Sequence, residues 1–366
     1  MSKEHTGDIY PKLRVAAVQA APVFLDREET VSKLEGLVAK AKKMGADLVV
    51  FGESFIPAFP IWNNVYPPID QHEFYRRLFD NAVTIPGSVF TRISDIAREN
   101  EIFLSVGLTE KAEISLGTMW NTNLLFDKNG VLLNKHRKLV PTWAEKLTWA
   151  CGDGSSLRVA STEIGRIGAL ICGENTNPLA RFTLLAQGEQ IHIATYPPIW
   201  PFKRQGYTGG YKLADAIRIR AVAHSFEGKV FTIVSSCFLD EYTIEEVSKG
   251  NPEIRNLLEN SSRPITMICG PTGDVIAEQP IDKEGILIAD IDLSSIIEQK
   301  EIHDIIGYYN RFDIFHLEVD FTPNVPLWYK TENGSGKLSK TCDFEKVNLE
   351  ERKAKEKEPR ARKEVN

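Results

Sequence analysis

The chain has 366 residues, of which 42% are hydrophobic and 26% charged: enough apolar material for one large core or two ordinary ones, and too much for wholesale disorder. Its 44 Lys and Arg stand against 50 Asp and Glu, a formal net charge of −6 that argues against nucleic acid as the main partner. No apolar run approaches the roughly 18–20 residues of a membrane-spanning helix, so no membrane partner is expected either.

In chain order, residues 13–18 (LRVAAV) are short, apolar and strand-like. Residues 29–44 are polar and periodic, with Val31, Leu34, Leu37, Val38 and Ala41 at helical spacing, and Gly45 is placed to end that helix before a second apolar run at 48–51. This β-α-β pattern recurs: a helical face of Phe90, Ile93, Ile96 and Ala97 precedes a strand at 102–106, and a helix at 179–186 precedes a strand at 190–194. Asn129-Gly130, between apolar runs at 123–126 and 131–133, predicts a hairpin and so a mixed sheet. Further strands are expected at 164–171, 230–235, 265–268 and 286–291, with a longer helix over 211–226.

Without a fixed repeat or a linker before about residue 290, one α/β domain with both sheet faces partly covered is the simplest solution. Segment 293–342 is too apolar to be a tail. After Gly334-Ser335-Gly336 the chain becomes charge-dominated, and 351–366, with seven basic and four acidic residues, reads as a mobile, solvated tail.

The most informative stretch is RIGALICGEN, 166–175, where an apolar strand ends at Cys172 and a glycine follows. Such a turn presents the side chain at the carboxyl end of the strand, where α/β folds place chemistry. Taken alone, a cysteine there is usually a core residue, and a free thiol near pKa 8.5 needs a base or a positive charge to act as a nucleophile. Glu53 closes an equivalent strand, DLVVFGE, and Lys138 follows the hairpin in HRKLVPT. Each has an ordinary alternative, a loop or capping acid for Glu53 and a solvated surface charge for Lys138.

Together these segments resemble the nitrilase branch of the carbon-nitrogen hydrolase superfamily. The resemblance rests on ESFIPAFPIW around Glu53, HRKLVPTWAEKLTWACGDGS around Lys138 and Glu145, and CGENTNPLARFTLLAQGEQIHIATYPP from Cys172, and it runs in order from about residue 12 to GYYNRFDIF near 320. It implies an α-β-β-α sandwich with mixed sheets and a single catalytic domain, placed over 12–292; the apolar segment over 293–342 is a candidate oligomer contact, and composition makes 343–366 a charged tail. It also implies a catalytic set: Cys172 as nucleophile, Glu53 as general base and acid, Lys138 stabilising the intermediate and Glu145 as a positioning glutamate. Gly173 departs from the pattern, because many members carry Trp immediately after the nucleophile, and a roomier pocket is expected from it. Among aromatic and proline residues near the catalytic positions, Phe59, Trp149 and Pro197 are the expected substrate-binding residues.

The implied reaction is thiol-dependent hydrolysis of an organic nitrile to the carboxylic acid and ammonia. Its alternatives are an amidase or carbamoylase, a cyanide-hydrolysing enzyme, and a catalytically idle scaffold. No cofactor and no metal are expected: there is no HExxH and no GxxxxGK[ST], and His192, in the alternating run QIHIA, reads as a hydrogen-bonded structural histidine. The five cysteines are odd in number and lack a CxxC pair, and residues 1–10 are polar without a signal-type apolar segment. A reducing cytoplasm is therefore expected, and the resemblance implies a small nitrile as substrate and a homo-oligomer, either a dimer or a larger spiral, as the assembly.

Overall fold

Alternation along the first strand separates two cores. In β1 (Lys12–Gln19), Val15 and Ala17 join a cluster with Leu48, Ile191, Ile193 and Phe231, whereas Ala16 and Val18 join one with Val31, Leu34, Val38 and Val49. A strand buried on both faces lies between two layers. The computed structural model of the chain describes residues 10–204, 206–331 and 334–338.

After β1 come α1 (Arg27–Lys43), β2 (Leu48–Val50), α2 (His72–Asn81), α3 (Ser88–Glu99), β3 (Phe103–Lys111), and the hairpin of β4 (Met119–Phe126) and β5 (Leu132–Arg137). The chain then forms β6 (Ala160–Thr162), β7 (Gly165–Ile171), α4 (Pro178–Leu185), β8 (Ile191–Tyr196), α5 (Leu213–Gly228) and β9 (Phe231–Ser236). It continues through α6 (Glu241–Ser248), α7 (Pro252–Asn260), β10 (Thr266–Cys269), β11 (Val275–Gln279), β12 (Gly285–Asp292) and α8 (Ile296–Ile302). A hairpin of β13 (Leu327–Thr331) and β14 (Gly334–Leu338) forms its own small sheet.

Two six-stranded sheets result, ordered β12-β1-β2-β3-β4-β5 and β11-β10-β9-β8-β7-β6. In each, three neighbouring strands are parallel and the outer pairs antiparallel, so both sheets are mixed. The inner faces pack together, α1 and α3 cover the outer face of the first sheet, and α5 covers that of the second through Leu213, Ile217 and Ala221. This is the expected α-β-β-α sandwich. It brings the exits of β2, β5 and β7, which carry Glu53, Lys138 and Cys172, to one region. Among the described residues no helix is long and apolar enough to cross a membrane.

The structure extends the expected elements in ways that have physical causes. β4 and β5 run further than their apolar segments because Asn121, Asn134, Lys135 and His136 are buried polar residues, which a hydropathy pattern does not register as strand. α2 and α7, absent from the sequence reading, bury little beyond Phe74, Leu78 and Leu258, which join a satellite cluster around Trp62. β12 ends at Asp292, yet Leu293 and Ile296 are buried in the inter-sheet core, so the packed body continues into α8. Gly334-Ser335-Gly336, after which the sequence becomes charge-dominated, lies within β14. The expected mobile tail lies outside the described residues.

Candidate active site

Glu53 follows β2 across a tight crossing between the sheets. The Phe51 N–H donates to the Ser105 carbonyl at 2.9 Å, while the Glu53 N–H donates to the Tyr196 carbonyl of the second sheet at 3.2 Å. Between them, a Cβ on Gly52 would lie 2.5 Å from the Cys237 backbone nitrogen, so only glycine lets the two layers approach this closely. Glu53 is fully buried. Its Oε1 accepts from Asn121 Nδ2 and from Lys138 Nζ, both at 2.7 Å, and its Oε2 has no hydrogen-bond partner among the described residues.

Lys138 is the residue after β5, tied by its N–H to the Asn121 carbonyl at 2.8 Å. Asn121 thus fixes the acid with its side chain and the lysine with its backbone. The Lys138 side chain is fully buried, which removes its reading as a solvated surface charge. Its Nζ also donates to Glu145 Oε2 at 2.6 Å. Glu145 sits on a 3₁₀ turn, Trp143–Leu147, where the same oxygen accepts from the Thr142 N–H at 2.8 Å. One buried cation therefore bridges two buried carboxylates.

Cys172 closes β7 with φ +50°, a left-handed conformation that costs a non-glycine residue about 1–3 kcal/mol and has to be held by its surroundings. Two neighbours that the sequence reading did not single out hold it. Glu174 accepts from the Ile171 N–H at 2.7 Å and the Leu139 N–H at 2.6 Å and pairs with His136 at 2.9 Å, splinting the cysteine turn to the backbone beside Lys138. Asn175 donates to the Cys172 carbonyl at 3.1 Å. Behind it a buried chain runs from Asn175 to His192, Glu189 and His224, with contacts of 2.8, 2.8 and 2.9 Å. His192 is thus hydrogen-bonded through both nitrogens, as expected. Glu189, His192 and His224 are close enough to hold a metal, within 4.8 Å, but His192 already pairs with Glu189 Oε1 and Asn175 Oδ1, and Glu189 Oε2 with His224 Nε2.

The electrostatics divide the roles. Burial pushes the Glu53 carboxyl up to about 7, against the pull of Lys138. The Cys172 thiol is pushed well above its ordinary value, by burial first and then by the negative charge of Glu53, with Lys138 opposing. Burial would lower Lys138, but Glu145 and Glu53 outweigh it and hold the ammonium well above its usual value. The resting site is therefore a neutral thiol beside a carboxyl poised to gain or lose a proton near neutrality and a permanently charged lysine. Such a set can deprotonate a nucleophile, return the proton, and stabilise developing negative charge.

Cys172 opens onto a cavity of about 420 Å³, bordered by Gly173, Thr142, Trp143, Trp200 and Arg220 among others. Gly173 is on its wall, and a Cβ there would stand 3.1 Å from Thr142 Oγ1. Phe59, Trp149 and Pro197 do not border this cavity. Phe59 and Trp149 pack edge to face at 5.6 Å in the satellite cluster, and Pro197 is buried just beyond β8. Their aromatic and cyclic side chains served packing at those positions, whereas Trp143 and Trp200, in T-shaped contact at 5.8 Å, supply the aromatic wall.

Residues 14–301 match the family model of the carbon-nitrogen hydrolases. The chain is 33% identical to a nitrilase of Paraburkholderia phymatum over 315 residues, 86% of this chain and 88% of that one. It is also 33% identical to an arylacetone-specific nitrilase of Alcaligenes faecalis over 86% of each chain. A carbon-nitrogen hydrolase structure from Helicobacter pylori superposes with a TM-score of 0.65 at 20% identity, covering 83% of this chain and 97% of that one. The chain belongs to the carbon-nitrogen hydrolase family, in its nitrilase branch.

Proposed function

We propose that the protein hydrolyses an organic nitrile to the carboxylic acid and ammonia through a covalent intermediate on Cys172. The observation that carries this reading is the buried juxtaposition of Cys172, Glu53 and Lys138 in a chain whose curated relatives are nitrilases. Glu53 takes the thiol proton as the sulfur attacks the nitrile carbon, and passes it to the nitrogen, giving a thioimidate. Water, deprotonated by Glu53, adds to that carbon. Lys138 stabilises the tetrahedral species, ammonia leaves, and a thioester remains. A second water, activated in the same way, releases the acid and restores the thiol. Glu145 holds Lys138 in place, and Gly173 leaves room beside the sulfur.

The free state of Cys151, Cys172, Cys237 and Cys269 supports a reducing, cytoplasmic setting. Exposed Tyr308, Tyr309, Phe312, Ile314 and Phe315 after α8 support self-association, since a run of large apolar side chains of this kind is costly to leave in water. The test is ammonia and acid release from aliphatic, aromatic and arylacetonitriles and from the matching amides, with Cys172→Ala as control. Nitrile turnover that disappears in the variant supports the reading. Amide-only turnover moves the protein to the amidases, and silence on every substrate rejects catalysis.

A further inference from the structure

The cavity beside Cys172 carries positive charge that the protein itself leaves unneutralised. Arg220, half-buried on α5, lines the cavity and spends its Nε–H on Thr176 Oγ1 at 2.6 Å. Neighbouring arginines have acidic partners: Arg218 pairs with Glu278 at 2.6 Å and Arg181 with Glu227 at 2.7 Å. Arg220 has no carboxylate within ion-pair distance among the described residues, and neither has Lys146, exposed on the same wall. The acid on that wall, Glu174, is consumed by His136 and two backbone N–H groups. In a chain of net charge −6, two cations without carboxylate partners facing the nucleophile's cavity form a local exception to the overall charge.

Arg220 shares the cavity wall with Cys172 but takes no part in the hydrogen bonds that tie Glu53, Lys138 and Glu145 together. With its Nε–H on Thr176, the guanidinium still has Nη–H groups to offer a molecule bound in the cavity, and carboxylate is the group its planar fork matches best. Trp143, Trp200 and Tyr211 supply an apolar wall for the body of that molecule.

We infer that the substrate is a nitrile that also bears a carboxylate, with the nitrile at Cys172 and the carboxylate on Arg220, and with Lys146 drawing the anion to the mouth. This rests on the nitrile-hydrolysing reading above and narrows its substrate class.

The experiment compares kcat/KM by ammonia release for 4-cyanobutanoate and 4-cyanobenzoate with that for their methyl esters, in wild type, Arg220→Met and Arg220→Lys. In wild type the carboxylates should win by about tenfold or more, chiefly through KM, and the ratio should fall to about one in Arg220→Met and be partly kept in Arg220→Lys. A wild-type ratio of one or less overturns the inference while leaving nitrile hydrolysis intact. So does a ratio that survives in Arg220→Met while both substrates decline together, because Arg220 would then act on the nucleophile. Should Arg220→Met fail to fold, wild type with 4-aminobutanenitrile decides: the cationic nitrile must be a poorer substrate than the esters, and equal or better turnover overturns the inference. Ammonia from none of these nitriles overturns the underlying nitrile reading and this inference with it.

Discussion

Glu53 has to remove a proton and give one back within a single turnover, and burial is what equips it to do both. At its ordinary acidity a carboxyl would be a weak base at neutral pH; pushed up to about 7, it is matched to that pH in either direction. Only the ionised form can accept the thiol proton. kcat/KM should therefore rise with pH along an acid limb near 7 and be small below it. Glu53→Gln keeps the size and the hydrogen bond from Asn121 but removes the base, so kcat should fall about 100- to 10,000-fold with an unchanged circular dichroism spectrum. A variant with kcat within tenfold of wild type would remove Glu53 from the base role. Lys138→Met should be a folding lesion as well as a catalytic one. It strands Glu53 and Glu145 without their shared cation, an imbalance worth about 3–5 kcal/mol, and should lower Tm in thermal unfolding.

The element that turns this chemistry into a site is the strand-turn unit of β7 and the residues after Cys172. Its left-handed nucleophile is held from two sides, by Glu174 toward Lys138 and by Asn175 toward His192. Because Asn175 positions Cys172 and does not border the cavity, Asn175→Ala should lower kcat with KM nearly unchanged, and Asn175→Asp, which keeps an oxygen toward His192 but loses the donor to the Cys172 carbonyl, should not rescue it. A change confined to KM would contradict that role. Gly173→Trp places a large side chain against Thr142 on the cavity wall and should shift relative kcat/KM from bulky toward small nitriles; an unchanged ratio would detach Gly173 from pocket size. The motif around Cys172 was legible in sequence only together with the segments around Glu53 and Lys138, since a strand-ending cysteine alone reads as a core residue. The pocket wall was not. Phe59 and Trp149 are aromatic and close in sequence to Glu53 and Glu145, yet their rings turn into the satellite cluster, and the direction of a side chain is set by tertiary packing. Asn121 went unseen for a related reason: it is a polar residue in a strand whose only surface signature is a shorter apolar run.

At the scale of the molecule, the β-α-β alternation foretold the sheets, but not that there would be two of six strands each, with β12 returning to pair beside β1 at Leu13 and Ile291. Pairing between residues nearly three hundred positions apart leaves no local mark on either segment. The two-layer body matters for function because the acid and lysine leave the first sheet while the cysteine leaves the second, so the site exists only when the sheets are stacked. Leu293 and Ile296, in the core between them, set where the chain can be cut. Truncation after residue 292 should yield misfolded protein, whereas truncation after 302 should retain the fold and give a smaller assembly by light scattering, because it removes the exposed apolar run from Tyr308 to Phe315. An unchanged assembly size after the second cut would clear that run of a role in self-association.

The most direct test of the whole reading is intact-protein mass spectrometry of rapidly quenched turnover with a slow nitrile. Wild type should show a transient mass increase equal to the thioimidate or thioester of that substrate, mapped by peptide digestion to Cys172, and Cys172→Ala should show neither adduct nor ammonia. Ammonia release that persists in Cys172→Ala, or steady turnover with the adduct on another residue, would contradict it.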